Sequence, residues 1–517
     1  MGLVAWSWLF LVLYIGVMLT FGWVASRRIA GADDFATARH SYGPYFLGLA
    51  FAASIASGAT FLGSPGLAYE YGATTIFINL LYPAGVYIGI LISISLVASA
   101  GHEFGNRSIP EYLGDRYQSD GIRLLVSVFS LVLLFYLAGQ MVSGLVMFET
   151  MLGLEPRWAL IITTGVLLIY VVLGGAHADI LTDGVQGFLM LLVAVLTIVL
   201  FLMGFGLDGG MRAVFDRLGA QDPNLVGALN RSTPLAHSWW SIVAVLLAHV
   251  PLGMLPHIGN KVWALKKDHD RMRFATLAFG AGVTLGMIGL GGLLARAALG
   301  DALLAPGRSP NEALPALFIA LFPNWLAALI GIGILSAVMS TADGLVVSSS
   351  QIFANDIYRR SIVPRFLPHL TEEQIDRRVL GISRWSTLLV LVLCAFMAWS
   401  LANLNIALLV WIGAGGMMAA FAGPLVVGAL WRRVTRAGAY AGLVGGMTAF
   451  VILHSGVLEP AWFGPFRGVG EWLRMEAPNP YSCAALGELV SVGATWAVSQ
   501  VTQPLPDTHV RRIFGTR

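Results

Sequence analysis

Residues 53–66 read Ala53-Ser54-Ile55-Ala56-Ser57-Gly58-Ala59-Thr60-Phe61-Leu62-Gly63-Ser64-Pro65-Gly66. Small, hydroxylated, glycine and proline residues crowd together there inside an otherwise apolar run of helical length. A second such stretch comes later: His249-Val250-Pro251-Leu252-Gly253-Met254-Leu255-Pro256-His257. An interrupted helix bares backbone amides and carbonyls that hydrocarbon cannot satisfy. In a membrane it persists only where it lines a cavity or holds an ion.

The surroundings are those of a bilayer. Of 517 residues, 57% are apolar and 11% charged, with a mean hydropathy of +0.76; soluble domains carry about 25% charged residues. Apolar runs of roughly 20 residues recur along the chain, the length that crosses hydrocarbon as a helix. Soluble enzymes, nucleic-acid-binding domains and disordered chains are excluded. A β-barrel is excluded too, because the runs are continuous and not alternating. Cys394 and Cys483 are the only cysteines, so no disulfide framework is expected. No Walker-type phosphate loop occurs, which removes ATP as an energy source. No His/Glu metal spacing or nucleophile motif suggests an enzyme.

Hydropathy places about thirteen spans, near 4–26, 44–70, 74–100, 123–152, 157–174, 178–206, 238–258, 274–299, 313–354, 380–401, 405–430, 437–456 and 482–502. The first has no positive residue ahead of it and reads as a retained helix, not a cleaved signal. With the N-terminus outside, 23 of the 31 Lys and Arg fall on inner segments, seven on outer ones, and Arg296 inside a span. That bias predicts N-out, C-in.

The two interrupted spans stand five apart. An odd offset makes the halves that contain them inverted with respect to each other. Paired broken helices in inverted halves point to a transporter site at the membrane midplane. The expected organisation is a leading helix (1–30), a first five-helix repeat (40–206), a second (238–430), two closing helices (437–502) and a basic tail (503–517).

The motifs resemble those of the sodium/solute symporter family. Ser57 to Gly72, with Phe61-Leu62-Gly63-Ser64-Pro65-Gly66 and then Tyr69 and Tyr71-Gly72, is similar to that family's first broken helix. Gly174-Gly175, Thr182-Asp183 and Gln186-Gly187 resemble its signature between the fourth and fifth core helices. Ala337-Val338-Met339-Ser340-Thr341-Ala342-Asp343, running on to Asn355-Asp356-Ile357-Tyr358-Arg359, resembles its eighth core helix and the loop beyond. Pro256-His257 and the basic stretch Lys261–Arg273 fit its sixth. The matches fall in order over roughly residues 40 to 435. The resemblance implies an all-α, LeuT-like inverted repeat of five plus five helices that couples sodium entry to solute uptake.

Carried over by position, the resemblance implies a sodium site from carbonyls of Ala53, Ala56 and Ala337 and hydroxyls of Ser340 and Thr341. Neutral oxygens suit a hard cation that must also leave. Asp183, an intramembrane acid, is expected at a second ion site or the ion's exit path. Asp343 stands where some relatives with a second ion carry serine, and Gly344 replaces the next hydroxyl; Asp343 is expected either to offer an oxygen or to pair with Lys261. Candidate solute contacts are Ser57, Gly58, Tyr136, Gln140, His249 and Leu252. None of these positions is Arg or Lys.

An organic acid, a carboxylate of the pantothenate or monocarboxylate kind, is the expected solute. A proline-like amino acid or a sugar is the alternative, and a proton-coupled carrier or solute sensor the second. Sodium is the expected coupling ion, with no cofactor. The expected partners are the solute, sodium and lipid, with no nucleic acid and no obligate protein. The expected place is a bacterial inner membrane.

Overall fold

The computed structural model describes residues 1–28 and 31–515, and within them leaves aside the side chains of 32, 167 and 169–174. The ends of the leading-helix and tail segments (29–30 and 516–517) therefore lie outside the described residues, as do the surroundings of Gly174. Everything described is helix and connecting loop, apart from one isolated bridge between Tyr42 and Leu265.

Ten elements carry the argument. They are α1 (Leu3–Ser26), α2 (Pro44–Ile55), α3 (Ser64–Tyr71), α4 (Thr75–Phe104), α5 (Leu133–Leu152), α6 (Pro156–Met203), α7 (Trp239–Ala248), α8 (Asn324–Gln351), α9 (Ile406–Phe421) and α10 (Pro480–Val501). Ten helical stretches among the described residues are long and apolar enough to cross a bilayer. The bent pair Trp239–Met254 and Pro256–Ala264, which turns by 52°, brings the number to eleven. Thirteen spans were expected. Two differences account for the gap. Pro44–Ile55 is only 12 residues long because the break at Ala56 ends it. The runs 157–174 and 178–206 are two helices that meet at Gly175, whose backbone leaves the helical path inside Pro156–Met203, and only Gly175–Met203 enters the count because 157–174 is not fully among the described residues. Gly175 has φ +52°, and a Cβ there would meet Phe35 at 2.6 Å, so the kink requires glycine.

The outer surface is what lipid requires. Trp385 and Phe396, on Glu372–Leu401, are 74% and 69% exposed, a liability in water but not against acyl chains. Inside, α8 packs on α6, α5 and α1, while α9 packs on α5 and α10. The segment before α2 and the one after the second break are joined directly. Tyr42 N donates to Ala264 O (2.9 Å) and Lys266 N to Tyr42 O (2.8 Å). The two interrupted helices thus lie against each other in the interior.

Candidate functional site

At the first break α2 ends with Ala56 at φ −80°, ψ 87°, off the helical path. The chain re-enters through the widened turn Ala59–Gly63 before α3; such π-type turns cluster at functional sites. Ala59 N is capped by Ser57 Oγ (3.1 Å), and Gly58 N donates to Gln140 Oε1 of α5 (2.9 Å). The residue at 58 must be glycine for space. A Cβ there would stand 2.2 Å from Ser143 Oγ.

The expected sodium residues converge at this break. Ala53, Ala56, Ala337, Ser340 and Thr341 are all fully buried. Thr341 Oγ1 of α8 donates to Ser54 O (3.2 Å), bringing the two strings of oxygens together. Ser340 Oγ, one residue before it, is buried without a hydrogen-bond partner. A buried hydroxyl in that condition costs about 1–3 kcal/mol, which a bound cation relieves by taking its lone pair.

Next to it lies a charged cluster. Lys261 Nζ bonds to Asp183 Oδ2, to Asp179 Oδ2 (2.9 Å) and to Ser54 Oγ (2.5 Å). Ser54 Oγ also lies 2.7 Å from Asp183 Oδ2. Asp183 Oδ1 and Asp179 Oδ1 are buried with no partner. Lys261 thus finds its acids on α6, not at Asp343, which the sequence had offered as one partner. Asp343 is buried on α8, one turn beyond the Ser340-Thr341 pair. Asp179, one turn before Asp183, escaped the sequence reading; its i, i+4 spacing to Asp183 was the available signal. Gln186, on the same helix, donates to Tyr14 OH of α1 (2.6 Å).

A small cavity lies beside the break. Four of the expected solute residues line it: Ser57, Tyr136, His249 and Leu252. Gly58 and Gln140 do not. They close on each other behind the wall, because the amide freed by the break needs an acceptor and Gln140 supplies it. Thr60, Ser64 and Tyr82 also line the cavity, and among the described residues no Asp, Glu, Lys or Arg does.

Three of the missed residues are aromatic: Tyr82, Trp411 and Tyr481. Trp411 of α9 and Tyr481 of α10 meet His249 edge-on and face-on, with ring centroids at 4.5 Å for His249–Trp411, 4.5 Å for Trp411–Tyr481 and 5.8 Å for His249–Tyr481. Tyr82 of α4 approaches His249 at 5.4 Å. His249 Nδ1 lies 2.6 Å from Val245 O, which holds the ring in this box. His257 sits apart, edge-on to Tyr136 at 5.3 Å.

Two broken helices around buried oxygens, with a cavity beside them, define an ion-coupled secondary transporter, not an enzyme. The sodium:solute symporter family model matches residues 35–446, and the chain belongs to that family. A sodium/pantothenate symporter of Haemophilus influenzae is 25% identical over 441 residues, covering 84% of this chain and 86% of its own length. A sodium/proline symporter of Escherichia coli is 26% identical over 475 residues, covering 88% of each. The solved structure of a sodium-coupled sialic acid symporter superposes with a TM-score of 0.72 at 20% identity, covering 96% of this chain and 98% of that one. The fold is therefore LeuT-like, and the chain is a sodium-coupled symporter of the membrane.

Proposed function

We propose that this chain imports a small solute bearing a carboxylate, together with sodium. The observation that carries the reading is the cavity's make-up: hydroxyl-bearing residues and a broken-helix amide region on one side, an aromatic box on the other, and no ionised side chain among the described residues. A carboxylate would face the hydroxyls of Ser57, Thr60 and Ser64 and the positive end of the re-entering helix. The apolar body would lie against His249, Trp411 and Leu252. Both relatives described above are named for solutes that carry a carboxylate.

Sodium would be held by carbonyls of Ala53, Ala56 and Ala337 and hydroxyls of Ser340 and Thr341. The unpartnered Ser340 hydroxyl and the Thr341–Ser54 contact support this set. Asp183 and Asp179, each with an oxygen to spare, would guide the ion on its exit; Asp343 is a further candidate oxygen. The halves would be residues 40–206 and 238–430, after a leading helix and before two closing helices and a basic tail. The N-terminus would lie outside a bacterial inner membrane and the C-terminus in the cytoplasm.

A second reading has its own support. The electron-rich faces of Trp411 and Tyr481 can hold an ammonium group, which favours a proline-like zwitterion. A thermal-shift screen with and without sodium separates these readings, because a ligand of the folded state raises apparent stability by mass action. Stabilisation by carboxylates or amino acids only with sodium present is the expected result. Stabilisation by sugars alone, or equally in potassium, would reject it.

A further inference from the structure

We infer that the last membrane helix supplies a specificity-determining residue, Tyr481, to the solute cavity; the inference rests on reading that cavity as the solute site. The family match ends at residue 446, so Tyr481 lies beyond the stretch that defines family membership. Its ring nevertheless forms part of the cavity wall, between Trp411 and His249. Three elements far apart in the chain, the second broken helix, α9 and α10, thus each give one ring to a single box.

The ring is held in place by its lead-in. Asn479 Oδ1 accepts from Tyr481 N (3.0 Å) and Ser482 N (3.2 Å), capping α10. Its Nδ2 donates to Pro234 O (3.0 Å). Trp240 Nε1 donates to Ser482 Oγ (2.7 Å), and Glu476 Oε1 lies 3.1 Å from His237 Nε2. Residues 234, 237 and 240 run directly into α7, the helix that ends at His249. The start of α10 is therefore pinned to the same helix that bears the opposing ring. The position of Tyr481 relative to His249 is fixed by three polar contacts, not by packing against lipid. Asn479 is the positioning residue; Tyr481 is the group that meets the solute.

A wall of this kind discriminates by shape. Losing a ring from an apolar pocket shifts preference between solutes by about tenfold or more, whereas a ring that only packs would affect every solute alike. The experiment uses the full chain in proteoliposomes with an inward sodium gradient. Uptake of a panel of carboxylates, amino acids, sugars and vitamins is measured for wild type, Tyr481→Phe, Tyr481→Leu, Tyr481→Ala and His249→Ala. Tyr481→Ala should raise the half-saturation of the preferred solute about tenfold and move preference toward bulkier members. The sodium half-saturation should hold, and Tyr481→Phe, which keeps the ring, should keep the wild-type order of solute preference. Tyr481→Leu preserves apolar volume and keeps the test open if the alanine variant does not fold.

Unchanged solute ratios in Tyr481→Ala and Tyr481→Leu, with ratios moved by His249→Ala, would overturn this inference alone. If no variant, His249→Ala included, moves the ratios, the cavity itself is not the solute site. A sugar as the preferred wild-type solute would reject the carboxylate reading while leaving the Tyr481 comparison in force.

Discussion

Replacing Lys261 by methionine removes the one cation among the described residues that faces Asp183, Asp179 and the hydroxyl of Ser54. Lys261 is 3% exposed and Asp183 fully buried, so solvent cannot take over the lost charge. Breaking a buried ion pair from one side costs about 3–5 kcal/mol, since the carboxylate stays behind uncompensated. Here two carboxylates stay behind, which places Lys261→Met toward the upper end. Removing the acid as well relieves part of that cost: Lys261→Met/Asp183→Asn should be more stable than Lys261→Met alone, with a coupling of about 1–3 kcal/mol in the cycle. Denaturant unfolding in detergent micelles measures the stabilities. The second readout is sodium. Ser54 bridges this cluster to the break through its hydroxyl, and its carbonyl accepts from Thr341, so the single variant should also weaken sodium-dependent stabilisation. A Lys261→Met protein as stable as wild type, or a double variant in which the two losses simply add, would refute the reasoning.

Three further outcomes are expected. Ser340→Ala should be neutral or slightly stabilising without sodium, because it removes an unsatisfied buried hydroxyl, yet lose most of the sodium-induced thermal shift; equal loss in both conditions would assign Ser340 to packing alone. Gln140→Leu leaves the Gly58 amide without its acceptor and should destabilise by about 1–3 kcal/mol, read by the same unfolding assay, with solute selectivity retained. Burial holds the Glu476 carboxyl above its ordinary range. The stability it contributes is complete below the unfolded-state value and is lost as pH rises through the raised one. Glu476→Gln should flatten that part of the melting-temperature profile, and an unaltered slope would count against it.

How much of this was legible in the sequence depends on the type of residue. The breaks were, because Gly58, Pro65, Pro251 and Pro256 contradict helix in runs that are otherwise all helix. Ser340-Thr341 were legible only through the family motif, since hydroxyls in an apolar span otherwise read as bonding back to their own helix. Trp411 and Tyr481 were not legible, since an aromatic in a membrane helix looks the same whether it faces lipid, a neighbouring helix or a cavity; only packing tells these apart. Gln140 was visible as a polar intruder, but its target was not. A glutamine that caps a distant amide and one that meets a solute leave the same trace in one dimension. The break at Gly175 was legible too, because the hydropathy dip around His177 and Asp179 reads as a boundary between two spans and the backbone leaves the helical path there.

The absence of ionised residues from the cavity wall has an electrical consequence. With no fixed charge there to offset the cargo, the charge that crosses with each solute is that of the sodium ions and the solute itself. One sodium moving down a tenfold gradient and 100 mV releases about 1.4 and 2.3 kcal/mol. A zwitterion carried by one ion can use both terms, enough for about 500-fold accumulation. A monovalent anion carried by one ion moves no net charge, forfeits the voltage and stops near about tenfold. The current evoked by adding solute therefore distinguishes the two cargoes directly: a zwitterion taken with one sodium registers as inward current, and an anion does so only if it travels with two.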